Sequence, residues 1–249
     1  MQGVRRLVAN VVGRGFVLDS DSGDKGIDDV NGYRWAEWSR SPEACDDQQE
    51  LDFHSLEKLT LQHVIIDGDI CSLPNRDGGI ESQEGHRLKT PRNTTKNVVH
   101  GVQQDERRRR LAYWFTKEDI EPWRSVVRVN DITQIPARDE AGHRQVFHHY
   151  LPDRRSQTRG VTAFAPMADT AGHWDDLGIL AVNLDLPLCV FLLDASETNY
   201  SGFRGAIGQA RQRWREIQSW MMASFHRLVY EWKVRQWAVT DSAHRKRHG

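Results

Sequence analysis

Four neighbouring arginines, Arg107 to Arg110, form the densest charge in the chain. Adjacent guanidinium groups attract phosphate through charge-assisted forks and make such binding depend on salt. A solvated turn between two strands is the plainer alternative for the same run. Asp67, Gly68 and Asp69 set two carboxylates close together, as a divalent cation would require. No third acidic ligand stands at a useful spacing, so a turn between helix and strand is the expectation there. His148 and His149 alternate faces if they lie on a strand and cannot chelate one ion together. The expected arrangement is one core imidazole and one at the surface. Gly13-Arg14-Gly15 lacks the third glycine and the βαβ context of a nucleotide loop, which leaves a helix stop. Cys45, Cys71 and Cys189 are odd in number, widely spaced and without a CxxC pair. They make neither a disulfide framework nor a zinc site, and they fit a reducing, cytosolic origin. No nucleophile elbow, His-Glu-x-x-His or Walker sequence is present, so catalysis has no motif to rest on and no cofactor is expected.

Composition bounds what these residues can serve. A chain of 249 residues with nine Trp and a 38% hydrophobic fraction is long enough and aromatic enough to bury a core. The formal net charge of −1 argues against a simple polybasic binder, yet it hides an asymmetry. From Asp19 to Asp52 eleven acidic residues face three basic ones; from Arg204 onward ten basic residues face three acidic ones. Ends of opposite charge suit a charged partner or other copies of the same chain. No apolar run reaches the ~18 residues of a membrane span, and the N-terminal segment lacks a secretory pattern, so a cytoplasmic, soluble protein is expected.

The elements that must carry these residues follow from periodicity. Val4, Leu7, Val8, Val11 and Val12 predict a helix ended by Gly13, and Asp19 to Gly32 predicts an exposed loop. A short helix with Trp35 and Trp38 follows, then one through Phe53, Leu56, Leu59, His63 and Val64. Short β-branched and aromatic runs at 70–73, 98–102, 111–115, 125–129 and 145–151 predict a β-rich module, with 74–97 as a polar loop. Asp194, Ser196 and Thr198 offer N-cap oxygens for a long helix whose apolar face runs from Phe203 through Ile217 and Phe225 to Val239. Its other face carries Arg211, Arg213, Arg215, Arg227 and Arg235. The fold class is therefore α+β, in three parts: helices over 1–68, a β-rich module over 69–152, and a helical part over 153–249.

Several stretches, in order, resemble the lambda-type portal family of tailed phages. Gly101 to Glu106 with Leu111 to Phe115 resembles the family hairpin "GVExD…GRPVAYWF". Val146 to Tyr150 followed by Arg154 to Val161, then Phe164 to Pro166, is similar to its "vxHxf…RxxQxRGVs" signature. Asp194 to Arg204 looks like its "D.S.tNYSs.R" start of a long helix, and Val4 to Phe16 resembles a further family segment. The resemblance implies a structural role: a ring, twelve-fold in the virion, at one capsid vertex, in a layout of wing, stem, clip and crown. Double-stranded DNA passes through that ring without being read, and terminase and head–tail connector proteins dock on it. In those terms the helical start belongs to wing and stem and the β-rich middle to the clip. Gln157, Arg159 and Gly160 are expected to join clip to stem, Asn199, Tyr200, Ser201 and Arg204 to fix the start of the last helix, and Arg107, Arg108, Arg109 and Arg110 to contact DNA. The rival readings are a nucleic-acid-processing enzyme and a non-functional prophage remnant.

The chain departs from the pattern in three places. The hairpin glycine is replaced within the arginine run, and a leading helix is missing before Val4. His173 to Leu177 also runs directly into Gly178 to Leu184, segments that a long helical block separates in relatives. The resemblance therefore implies an internally shortened portal. Losing a few hundred Å² of apolar cover forfeits several kcal/mol at ~25 cal/mol per Å², against a typical margin of ~5–15 kcal/mol. On that arithmetic the β-rich middle folds locally, the long helix is left uncovered, and rings assemble poorly.

Overall fold

The five apolar positions of the first helix are all buried along α1 (Gln2–Val12), which stops where Gly13 turns left-handed at φ 57°. The computed structural model describes every residue except 1, 93, 95, 118–130, 167–175, 193–198 and 249, and every described side chain except those of 2, 176, 177 and 242–248. Asp24 caps α2 (Lys25–Arg40), its carboxylate accepting from the N–H groups of Gly26 and Ile27. This helix starts inside the stretch expected as loop, because a well-placed cap outweighs the poor helix propensity of the Asp, Asn and Gly that follow. After α3 (Pro42–Cys45), Asp52 caps α4 (Phe53–Ile66) by accepting from Ser55 N–H at 2.8 Å. Gly68, at φ 94°, then turns the chain from α4 into the first strand.

Two small antiparallel sheets follow, so the architecture is α+β. The first has β1 (Asp69–Pro74) at its centre, flanked by β2 (Ile80–Glu84) and β7 (Phe147–Tyr150). The second runs β3 (Val98–Val99), β4 (Val102–Gln104), β5 (Arg110–Thr116) and β6 (Ile132–Pro136) in spatial order. β2 and the 3₁₀ turn Gly85–Arg87 occupy what reads as a polar loop, and β6 also carries no clear strand signal. Both are edge strands: β2 buries Ile80 and Gln83, and β6 only Ile132, so neither shows an apolar alternation. The run at 125–129 lies outside the described residues. Cys71, Leu73, Val102, Tyr113, Phe115 and Val146 form the core between the sheets.

After α5 (Asp176–Asn183) and α6 (Leu188–Leu192), the chain enters α7 (Tyr200–Met221), a π turn (Met222–His226) and α8 (Arg227–His248). These three make one continuous helix, roughly 70 Å long at 1.5 Å per residue. The extra residue of the π turn shifts the buried stripe, which passes through Ala210, Ile217, Met221, Phe225 and Val229 to Lys233. Val239, counted on the apolar face by an unbroken 3.6-residue period, is 68% exposed for that reason. The stripe is covered: Ala210, Ile217, Met221, Phe225 and Val229 share one core with α1, α2 and α4. This corrects the expectation of an uncovered helix: Val4, Leu7, Val8 and Val11 of α1, Trp38 of α2, and Phe53, Leu56 and Leu61 of α4 supply the apolar cover. Near its end Lys233 lies 4.8, 5.1 and 5.5 Å from the ring centres of Trp38, Trp232 and Trp237, so this cation belongs to the core and not to the basic face.

Candidate functional site

The arginine run forms the turn between β4 and β5. Asp105 organises it, its carboxylate accepting from Arg109 N–H at 2.7 Å and from Arg109 Nε at 2.6 Å. Arg107, Arg108 and Arg109 are exposed. Arg108 is left-handed at φ 62°, the position of the αL residue that a short hairpin loop of this kind gives to glycine. The sequence departure at the hairpin glycine thus has a backbone cost. Arg108→Gly is expected to raise stability by about 1 kcal/mol, the cost of a Cβ in that region. A denaturant midpoint that stays put or falls would count against this.

Arg110 does something else. Its guanidinium turns into the protein, donating to Tyr150 Oη at 2.5 Å, to Tyr113 Oη at 3.1 Å, to Thr158 O at 3.1 Å and to His148 Nδ1 at 2.9 Å. Arginine has no acceptor, so His148 Nδ1 presents its lone pair and its Nε2–H donates to Asp69 Oδ2 at 2.8 Å. His148 is therefore held neutral, in agreement with burial lowering its pKa despite the Asp69 contact. Its side chain is 1% exposed, so the surface position expected for one of the two histidines is not found. The reason is that the second sheet covers the outer face of β7.

Asp69 is the centre of the network. Arg159 clasps it with two nitrogens, Nη2 to Oδ1 at 2.7 Å and Nε to Oδ2. The same guanidinium donates to Gly85 O at 2.6 Å and to Leu88 O and His100 O at 3.3 Å each. Burial pushes the Asp69 carboxyl up, but Arg159 and then His148 outweigh it and hold it well below the usual carboxylate range. Asp67, in contrast, is bound by His63 Nδ1 at 2.5 Å. The two carboxylates face different partners, and among the described residues no group of three His, Cys, Asp or Glu could hold a metal. Burial raises the thiols of Cys71 and of Cys45, the latter to about 12, which leaves both unreactive.

Arg159 and Gly160 sit where α4, β1 and the returning chain meet. A Cβ on Gly160 would lie 1.8 Å from Gly68 O, and one on Gly68 would lie 2.8 Å from Gly160 C. A Cβ on Gly85 would strike Asp69 Oδ1 at 2.1 Å. Past Gly160, Ala163 N–H donates to Ile65 O at 2.9 Å and Thr162 Oγ1 bonds Ile66 O. Gln157 Oε1 accepts from Asp153 N–H at 2.8 Å and Arg154 N–H at 3.2 Å, which shapes the turn leading in. At the start of the long helix Asn199 is the cap, accepting from Gly202 N–H at 2.8 Å and Ser201 Oγ at 3.0 Å. Arg204 stacks over Tyr200 at 5.9 Å. The other cap oxygens considered, on Asp194, Ser196 and Thr198, lie outside the described residues.

Sequence reasoning missed Asp69, Gly68, Gly85, Tyr113, His148 and Tyr150 as one unit with Arg110 and Arg159. An acid directly after a helix-ending glycine is the available signal, and the sequence reading takes it as part of a turn between helix and strand, not as a partner of a distant arginine. The histidines give the unit a pH dependence. His149 is buried between Ser224 O at 3.0 Å and Ser72 Oγ at 3.1 Å, and burial lowers its pKa to about 3. The unfolded chain takes up these protons near pH ~6.5, whereas folded His148 and His149 resist them. Stability is thus full above pH ~6.5 and falls as the pH drops toward 4, before most carboxylates titrate. The melting temperature is expected to be clearly lower at pH 5 than at pH 7.5; a flat profile over that range would contradict the burial of both rings.

What this arrangement can do is mechanical. It fastens helices to sheets through buried charge, and it presents an exposed arginine turn. The family model described as phage portal protein, lambda family, matches residues 1–178, more than half of the chain. No curated protein matches it. The match ends at Gly178, inside α5.

Proposed function

Because the chain belongs to the lambda family of phage portal proteins, we propose that it is a structural subunit of a ring at one capsid vertex, through which double-stranded DNA is packaged and ejected. The observation that carries this reading is the match to the portal family over residues 1–178. The family is structural, and on this reading the chain catalyses nothing and needs no cofactor. Its partners are other copies of itself, twelve by family resemblance, together with duplex DNA, terminase and head–tail connector proteins. It resides at the virion vertex, and in the host cytoplasm during assembly. Among the described residues no helix is long and apolar enough to cross a membrane, which fits those places.

In this reading residues 1–68 belong to wing and stem, 69–152 to the clip, and the long helix to the body of the ring. The network of Asp69, Arg110, His148 and Arg159 is the joint between them. The chain is an internally shortened portal, its two halves spliced within α5. The cover that α1, α2 and α4 give the long helix removes the reason to expect failed assembly. The rival reading, a metal-dependent nuclease at Asp67 and Asp69, is disfavoured by their separate partners.

Arg107, Arg108 and Arg109 are the proposed DNA contacts; Arg110 contributes its charge from within the joint. Binding is expected to be indifferent to sequence, since phosphate contacts position a duplex without reading it. Retention of duplexes of unrelated sequence should be equal and should fall steeply with salt. Reversing all three exposed arginines should flatten the log–log salt slope by up to about 3, at ~0.9 per phosphate contact. An unchanged slope would remove this turn from the DNA path, and strong sequence preference would count against the portal role.

A further inference from the structure

The segment after α1 has no regular secondary structure, and its side chains alternate in exposure. Val17, Asp19 and Asp21 point outward, Val17 being 93% exposed, while Leu18 and Ser20 are half-buried. Three contacts hold the segment in this form. Ser20 Oγ donates to Asp28 Oδ1 at 2.7 Å and lies 3.0 Å from Tyr230 Oη, and Ser22 N–H donates to Asp28 Oδ1 at 2.9 Å. Asp24 is occupied as the cap of α2. Asp19 and Asp21 have no hydrogen-bond or ion-pair partner among the described residues. The result is a pre-ordered, acidic strip with an apolar head.

A surface of the opposite kind lies elsewhere on the same chain. Between the β6–β7 connection and α8 is a cleft of about 370 Å³ with Arg138, Arg144, Arg227 and Arg235 on its walls and Phe147 and Leu228 among its lining residues. Arg227 is paired with Glu231 at 2.8 Å, and Arg138 donates to Gly142 O at 2.5 Å. Arg144 and Arg235 are exposed and have no carboxylate partner among the described residues.

We propose that the Val17–Asp21 strip of one copy docks into this arginine cleft of the next copy, with Asp19 and Asp21 on Arg144 and Arg235 and Val17 beside Leu228. The contact is head-to-tail, joining two different surfaces, which is the kind that closes into rings. The proposal rests on the ring reading and specifies its contact. Charge complementarity carries it: two unpaired carboxylates meet two unpaired guanidinium groups. Because the strip is already ordered in the single chain, docking loses little conformational freedom.

The test is a charge swap in the full chain, read as mass against concentration and salt. R144E/R235E and D19K/D21K should each weaken self-association at least tenfold, and the four changes together should restore it. R144E/R235E with E43K/E50K restores the net charge without restoring the pairing, and should remain weak. Rings that persist through either reversal would overturn this contact and leave the portal reading standing. So would a four-fold variant that stays folded by circular dichroism yet fails to recover. If R144E/R235E loses duplex binding but keeps its mass, the cleft takes nucleic acid and the proposal is wrong. A wild-type chain that stays monomeric at high concentration would overturn both readings.

Discussion

Gly160→Ala is expected to destabilise the protein by more than ~4 kcal/mol, enough to leave little folded chain from a margin of ~5–15 kcal/mol. The new methyl would sit 1.8 Å from Gly68 O, a backbone atom that no rotamer change can move aside. Relief would require α4 and the 159–163 segment to separate, and with them the bonds from Ala163 to Ile65 and from Thr162 to Ile66. Ordinary overpacking costs ~1–3 kcal/mol because side chains shift; here both sides of the clash are main chain. The control is Gly205→Ala or Gly208→Ala, both exposed in α7 with open space at the Cβ position. Each should gain about 0.8–1 kcal/mol from helix propensity. Urea unfolding of the three variants checks the contrast; a Gly160→Ala protein within ~1 kcal/mol of wild type would contradict the close approach.

The second large effect concerns Arg159. Arg159→Met removes the cation and leaves Asp69 buried with only His148, while Gly85, Leu88 and His100 lose a donor to their carbonyls. Breaking a buried pair from one side typically costs ~3–5 kcal/mol, chiefly because the remaining charge has no compensation. Asp69→Asn alone should cost less, since a neutral amide still accepts from Arg159. The double variant Asp69→Asn/Arg159→Met should be more stable than Arg159→Met, because the stranded charge is gone. A cycle in which the two changes simply add would show that the pair is not coupled as the distances indicate.

Much of the fold is legible in the residues for plain reasons. The stripe of α1 and the aromatic strands β5 and β7 are local patterns, readable within a few residues, whereas the caps at Asp24 and Asp52 do not stand out from the acidic stretch around them. β2 and β6 are edge strands with little apolar alternation, and their order depends on partners distant in sequence. The π turn is equally silent: one extra residue in a helix leaves no mark in composition, yet it decides that Lys233 is buried and Val239 is not. The joint shows the same division. Arg159 and Gly160 stand out because they match a family motif, but Asp69 lies 90 residues from Arg159. No periodicity links two residues at such a distance. Asp67 and Asp69 look like a pair in the sequence and are separated in space because Gly68 reverses the chain between them.

The portal reading requires copies of this chain to associate into a closed ring. That reading stands or falls on assembly. The most direct measurement is the mass of the purified chain in solution, by light scattering on a sizing column at moderate salt. The account predicts a single closed species of about twelve copies, in keeping with a ring at a capsid vertex. A monomer, or a ladder of sizes without a closed state, would contradict it.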